Sequence, residues 1–156
     1  MRRFNVNAEL EYAPQPDGYA CGHARLHPEI GAATLFGGLF ELPPGQSTRP
    51  YHYESAEEWL LVLEGRVSVR RPNGEDELQA GDLVCFPAGP DGAHKVTNRG
   101  EATARVLLVS TRTSPAVAVY PDSDKIGIVP AWGETIFAPR AANTGYYEGE
   151  AQGEAR

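Results

Sequence analysis

The sequence predicts an all-β fold, a sandwich or barrel of eight or more short strands. Three observations carry this. The 17 glycines and 13 prolines are scattered between short apolar runs, which favours many turns over long helices. No segment keeps apolar residues at 3.6-residue spacing over two turns. Strand-like runs instead recur at short intervals from residue 32 to residue 110.

Residues 1–31 are rich in Pro, Gly and polar residues and read as an irregular N-terminal arm with one short strand. Residues 32–42 (AATLFGGLFEL) make the first convincing strand, with Gly37 and Gly38 marking a bulge or a close backbone approach. Strands are then expected at 49–54, 58–64 and 66–71, where Val67 and Val69 alternate with polar neighbours. A hairpin turn follows at 71–75 with Asn73–Gly74 at its tip. Further strands are expected at 76–79, 82–86, 93–98 and 103–110. The barrel core therefore spans 32–115, and two more strand-like pieces lie in an extension over 116–148 that packs on it. Residues 149–156 are small and polar and are expected to be a mobile tail.

Composition bounds the function. At 156 residues the chain fits one domain with a proper core. A net charge of −7 argues against nucleic acid as a partner, because that ligand demands a basic face. The same charge disfavours an anionic membrane surface, and no apolar run is long enough to span a bilayer. The start, MRRFNVNAELEYAP, has no apolar core behind its arginines, so it does not read as a signal peptide. A cytoplasmic location is expected, with Cys21 and Cys85 reduced and Cys85 buried within the run LVCF.

Two stretches carry the chemistry. The first runs from Gly45 through His52, Glu54 and Glu58 to Gly65; the second runs from Gly81 through Pro87, Gly89 and His94 to Asn98. Residues two apart on a strand face the same side, so His52 and Glu54 project together, and Glu58 starts a return strand beside them. In a small barrel inward side chains converge. Two imidazoles and one or two carboxylates then meet around one point, a donor set that suits zinc, iron, manganese, nickel or cobalt.

These stretches resemble the two signature motifs of the cupin superfamily, G-x5-H-x-H-x3,4-E-x6-G and G-x5-P-x-G-x2-H-x3-N. The resemblance covers residues 33–110, with both motifs in order, and residues 120–128 (YPDSDKIGI) are similar to a group of small bacterial cupins. It implies a jelly-roll β-barrel, or double-stranded β-helix. It also implies a divalent metal held by His52, Glu58 and His94. There are three departures. Glu54 stands where the motif has its second histidine, six residues separate Gly45 from His52, and four separate Gly89 from His94. Glu54 has two readings: a fourth ligand, or a neighbour of a two-histidine, one-carboxylate face.

Other residues read more plainly. Trp59 to Leu63 and Val106 to Val109 are core or dimer interface, and Asn98 holds backbone at a turn. Arg49, Tyr51 and Tyr53 lie near the barrel mouth, while His23 and His27 are expected at the surface. The resulting expectation is a homodimer, formed by sheet extension or by packing of the arm, that binds a metal and a small polar molecule. The resemblance implies sugar-phosphate isomerase-like chemistry. An Fe(II) dioxygenase and a non-catalytic ligand- or metal-binding module are the alternatives.

Overall fold

The strands follow from alternation. In Leu35–Leu42 (β2), Phe40 and Leu42 turn to one face and are buried, whereas Leu35 on the other face is exposed. A computed structural model of the chain describes residues 1–111, 113–130 and 133–150. The remaining strands are Gly22–Arg25 (β1), Tyr53–Glu54 (β3), Glu58–Glu64 (β4), Arg66–Arg71 (β5) and Gly74–Gln79 (β6). After these come Leu83–Phe86 (β7), Lys95–Thr97 (β8), Ala104–Thr111 (β9), Ala116–Tyr120 (β10), Lys125–Val129 (β11) and Ile136–Pro139 (β12).

They form three antiparallel sheets, ordered β1-β2-β9-β4-β7, β6-β5-β8 and β12-β11-β10-β3. One core joins the first two. Leu42, Leu60, Val62 and Val106 of the five-stranded sheet pack in the same cluster as Val67, Val69 and Val96 of the three-stranded one. Each of these aliphatic side chains contributes about 1.5–3 kcal/mol when withdrawn from water.

The segment before β3 ties the sheets together. Ser47 pairs with Thr97 and His52 with His94, so this stretch runs along β8 before Tyr53 and Glu54 pair with β10. The C-terminal sheet is thereby laid over the end of the barrel where both histidines lie. Asn98 holds the adjoining corner. Its amide donates to the Leu42 and Ala102 carbonyls and accepts from the Gly100 N–H, so this fully buried side chain has its polar atoms paired.

Several expectations needed correction. Cys85 is exposed, because it pairs with Trp59 on the outward face while Val84 and Phe86 turn inward. Trp59 is on that outer face too and is 49% exposed, which removes the core half of its core-or-interface expectation. The β5–β6 turn has Pro72–Asn73 as its loop, and Gly74 already pairs with Arg71. Gly37–Gly38 make no bulge, since β2 stays in register with β9 throughout. They are a close approach: a Cβ on Gly38 would lie 2.9 Å from the Phe40 ring.

The arm contains β1 and a short helix, Leu26–Ile30 (α1), too brief to show helical periodicity in sequence. The region after residue 114 has three strands where two were expected. Of the tail expected to be mobile, residues 151–156 lie outside the described residues. Among those described, no helix is long and apolar enough to cross a membrane.

Candidate metal centre

Two imidazoles are brought face to face by main chain alone. The His52 N–H donates to the His94 carbonyl at 3.1 Å and the His94 N–H donates to the His52 carbonyl at 2.8 Å. Both residues are buried, and their ring centroids are 4.9 Å apart. Backbone pairing thus fixes the two residues opposite each other.

The protonation of both rings follows from their local partners. His52 Nδ1 lies 2.9 Å from the Pro50 carbonyl, and His94 Nδ1 lies 2.9 Å from the Gly92 carbonyl. A carbonyl only accepts, so each Nδ1 must carry the proton. In the neutral ring this leaves Nε2 with a free lone pair, the arrangement that metal-binding histidines adopt. Both Nε2 atoms meet carboxylates. His52 Nε2 is 3.4 Å from Glu54 and His94 Nε2 is 3.4 Å from Glu58.

The Pro-Asp-Gly insertion that lengthens the second motif has a definite role here. It folds as a 3-10 turn over Pro90–Gly92, and Gly92 supplies the carbonyl that orients His94. No other residue fits at 92, because a Cβ there would come within 1.8 Å of the Pro87 carbonyl oxygen.

His52, Glu58 and His94 each offer one donor atom within 4.8 Å of the others. Glu58 opens β4 and pairs across the sheet with Phe86 and Ser110; Phe86 in turn stacks on His94 at 3.7 Å. Glu54 adjoins the cluster through His52 and lies outside this three-residue set. It is the more open of the two carboxylates, its side chain 31% exposed against 14% for Glu58.

Electrostatics follow from this layout. Burial pulls the His52 pKa down, but the Glu54 hydrogen bond and charge, the Glu58 charge and the Pro50 carbonyl together hold it above its ordinary value. Burial also raises the Tyr120 hydroxyl, helped by the Glu54 charge and opposed by Arg49. Tyr120 stacks on His52 at 5.8 Å and so presents a protonated phenol beside the site.

A cavity of about 560 Å³ opens onto His52, Glu54 and Glu58. Its far wall comes from the C-terminal sheet, where Val117, Tyr120 and Phe137 contribute apolar surface. Tyr51, expected near the mouth, is instead buried beneath the Arg70 guanidinium, 3.9 Å from its ring. Sequence reading missed part of this wall. His23 and His27, taken as surface residues, are partly buried against Phe40 and Phe36, and His27 lines the cavity together with Arg25. The sequence carries no signal for this, because β1 and α1 reach the cavity only through the pairing of β1 with β2.

Comparison with known proteins agrees with the fold. Residues 38–110 match the family described as Cupin domain. The structure of a sugar phosphate isomerase from a cupin superfamily, from Silicibacter pomeroyi, superposes with a TM-score of 0.78 at 26% identity, covering 94% of this chain and 98% of that one. A putative sugar phosphate isomerase from Acidithiobacillus ferrooxidans superposes with the same TM-score, 0.78, at 24% identity, over 89% and 90% of the two chains. The tetracenomycin polyketide synthase protein TcmJ of Streptomyces glaucescens is 29% identical over 86 residues, 55% of this chain and 56% of that protein. The chain spans about half the length of the first curated relatives it matches. The strand order, the paired histidines and these matches together make residues 38–110 a cupin domain on a jelly-roll barrel.

Proposed function

We propose that this protein binds a divalent metal through His52, Glu58 and His94, with Glu54 as a fourth ligand, and acts on a small polar molecule by sugar-phosphate isomerase-like chemistry. One observation carries the metal reading. Both imidazoles have their Nδ1 protons engaged by carbonyls, so two free Nε2 donors and a carboxylate converge within 4.8 Å. The donors are two nitrogens and one or two oxygens, which fits zinc, iron, manganese, nickel or cobalt.

A bound cation of this kind supplies Lewis acidity toward a substrate carbonyl or hydroxyl. The chain's own groups do the rest. Glu58 and the two histidines fix the centre, the Tyr120 phenol is placed to donate a hydrogen bond, and the C-terminal sheet walls one side of the cavity. The isomerase reading is supported by the Silicibacter pomeroyi relative, which aligns over nearly the full length of both chains. The reading also takes the protein to be a cytoplasmic homodimer, in keeping with its unpaired Cys21 and Cys85 and with the apolar outer face around Trp59.

The test has two parts. Elemental analysis of protein purified without an affinity tag should find close to one transition metal per chain, and NMR of incubated sugar phosphates should show aldose–ketose interconversion that a chelator abolishes. Metal-free protein that cannot be loaded would refute the metal reading. Loaded protein that consumes dioxygen with a candidate substrate would favour the oxygenase alternative, and metal binding without turnover the non-catalytic one.

A further inference from the structure

The cavity is chemically two-sided. Glu54 and Glu58 make one part of its lining acidic, whereas Arg25 and Arg49 make another part cationic, and His27 lines the same cavity. Among the described residues neither Arg25 nor Arg49 is in an ion pair, although the protein's other acidic and basic side chains form several. Arg49 is held in place without a counter-ion. Its guanidinium lies 5.0 Å from the centre of the Phe40 ring and donates to the Thr48 carbonyl at 3.1 Å.

Strand register gives the layout. Arg25 pairs with Gly38, which pairs with Leu108, which pairs with Leu60 of β4. One row further on, Phe36, Ser110, Glu58 and Phe86 follow one another across the same sheet. Arg25 therefore sits at the β1 edge and Glu58 of the metal-type cluster on β4. Three strand steps separate them, about 14 Å along the sheet before its curvature and the long arginine stem shorten the gap. Polar atoms around this wall also lack partners within the protein: His23 Nε2, His27 Nδ1 and Thr113 Oγ1 are buried without a hydrogen bond. Such groups call for a ligand or ordered water.

We propose that Arg25, Arg49 and His27 form a subsite for the phosphate of a phosphate monoester, whose organic body extends through the cavity toward His52 and Glu58. Two guanidiniums and an imidazole provide more donors than the two oxygens of a carboxylate can use, and they match the three oxygens and double charge of a phosphate. A cavity of about 560 Å³ is far larger than inorganic phosphate alone requires, which points to an ester. The subsite deepens the function proposed above by naming the end of the substrate that is gripped rather than transformed. Its residues are separate from the metal-type cluster, so the two readings can fail independently.

The experiment uses chelator-treated protein and calorimetry with four probes: inorganic phosphate, ribose 5-phosphate, glucose 6-phosphate and unphosphorylated glucose. At least one sugar phosphate should bind tenfold or more tightly than glucose and more tightly than inorganic phosphate. The double variant Arg25→Met/Arg49→Met should lose that advantage, while Arg49→Lys, which keeps the charge and the stem over Phe40, should retain part of it. Arg66→Met, which removes an exposed arginine outside the cavity, should leave phosphate binding within about twofold. Circular dichroism and thermal melts establish that each variant is folded; if the double variant is not, the single Arg25→Met, at a residue already exposed, carries the comparison. Failure of every phosphate to bind, unchanged binding after removal of Arg25 and Arg49, or an equal loss in Arg66→Met would each overturn the subsite. Inorganic phosphate binding as tightly as the esters would overturn the ester assignment. Arginine-dependent binding to a protein that takes up no metal would uphold the subsite and refute the metal reading.

Discussion

The main chains of His52 and His94 hydrogen-bond to each other in both directions, at 3.1 and 2.8 Å. Their side chains are therefore free to be judged as donors, since neither ring is needed to hold the strands together. Replacement of either residue by alanine should abolish near-stoichiometric metal binding, with affinity falling by 100-fold or more, roughly the scale of losing one of few nitrogen donors. Far-ultraviolet circular dichroism should remain that of the wild type. Wild-type metal content in both variants would place the metal elsewhere.

Glu54 and Glu58 should separate under the same chemical change. Glu58 belongs to the three-donor set, so Glu58→Gln should weaken metal binding strongly, whereas Glu54→Gln should act through both ligation and the His52 proton. His52 has a raised pKa, and a metal ligand must be deprotonated. Wild-type affinity should accordingly fall as pH drops through a value above the usual 6.5 of histidine. In Glu54→Gln the burial effect prevails, the fall moves to lower pH, and fewer protons are released per metal. Calorimetry in buffers of different ionisation enthalpy reads that release. Identical affinity and proton release in wild type and Glu54→Gln would remove Glu54 from the site.

The sign for stability is opposite in the metal-free protein. A histidine whose folded pKa is raised stabilises the fold fully below its unfolded pKa, and that contribution is lost as pH rises through the folded value. The difference in unfolding free energy between wild type and Glu54→Gln, measured by denaturant titration without metal, should therefore narrow from pH 6 to pH 9. A gap that widens over this range would contradict the pairing of Glu54 with His52.

The outer face of the five-stranded sheet carries Leu35, Trp59, Leu61 and Leu83, with Trp59 49% and Leu83 56% exposed. Apolar surface of this kind is what a partner would cover. A homodimer built on this face predicts a two-chain mass in light scattering at micromolar concentration, and Trp59→Glu or Leu83→Arg should shift it to one chain. A one-chain mass for the wild type would refute the dimer.

Asn98→Ala should destabilise the fold by about 1–3 kcal/mol, because it strands the Leu42 and Ala102 carbonyls that its amide satisfies. Chemical denaturation provides the value. A loss below ~0.5 kcal/mol would mean that water replaces the amide.

Much of the barrel was legible in sequence because it is written in nearest-neighbour terms. Alternation set β4 at Glu58–Glu64 and β5 at Arg66–Arg71 with the bounds expected, and the two spaced motifs marked His52, Glu58 and His94 as one set of donors. Asn98 was recognised as a backbone anchor from its residue type and place. Period-two patterning says which side chains share a face, but not which face meets the core. That choice left Cys85 and Trp59 outside, because it depends on how β4 and β7 are covered by elements distant in the chain. Only tertiary structure brought Arg25 and His27 to the cavity of His52 and Glu58, since strand pairing across β2 and β9 joins residues more than thirty positions apart. The sequence by itself determined the barrel and singled out its candidate donors; the tertiary structure decided what faces them, because that is settled by which strands become neighbours.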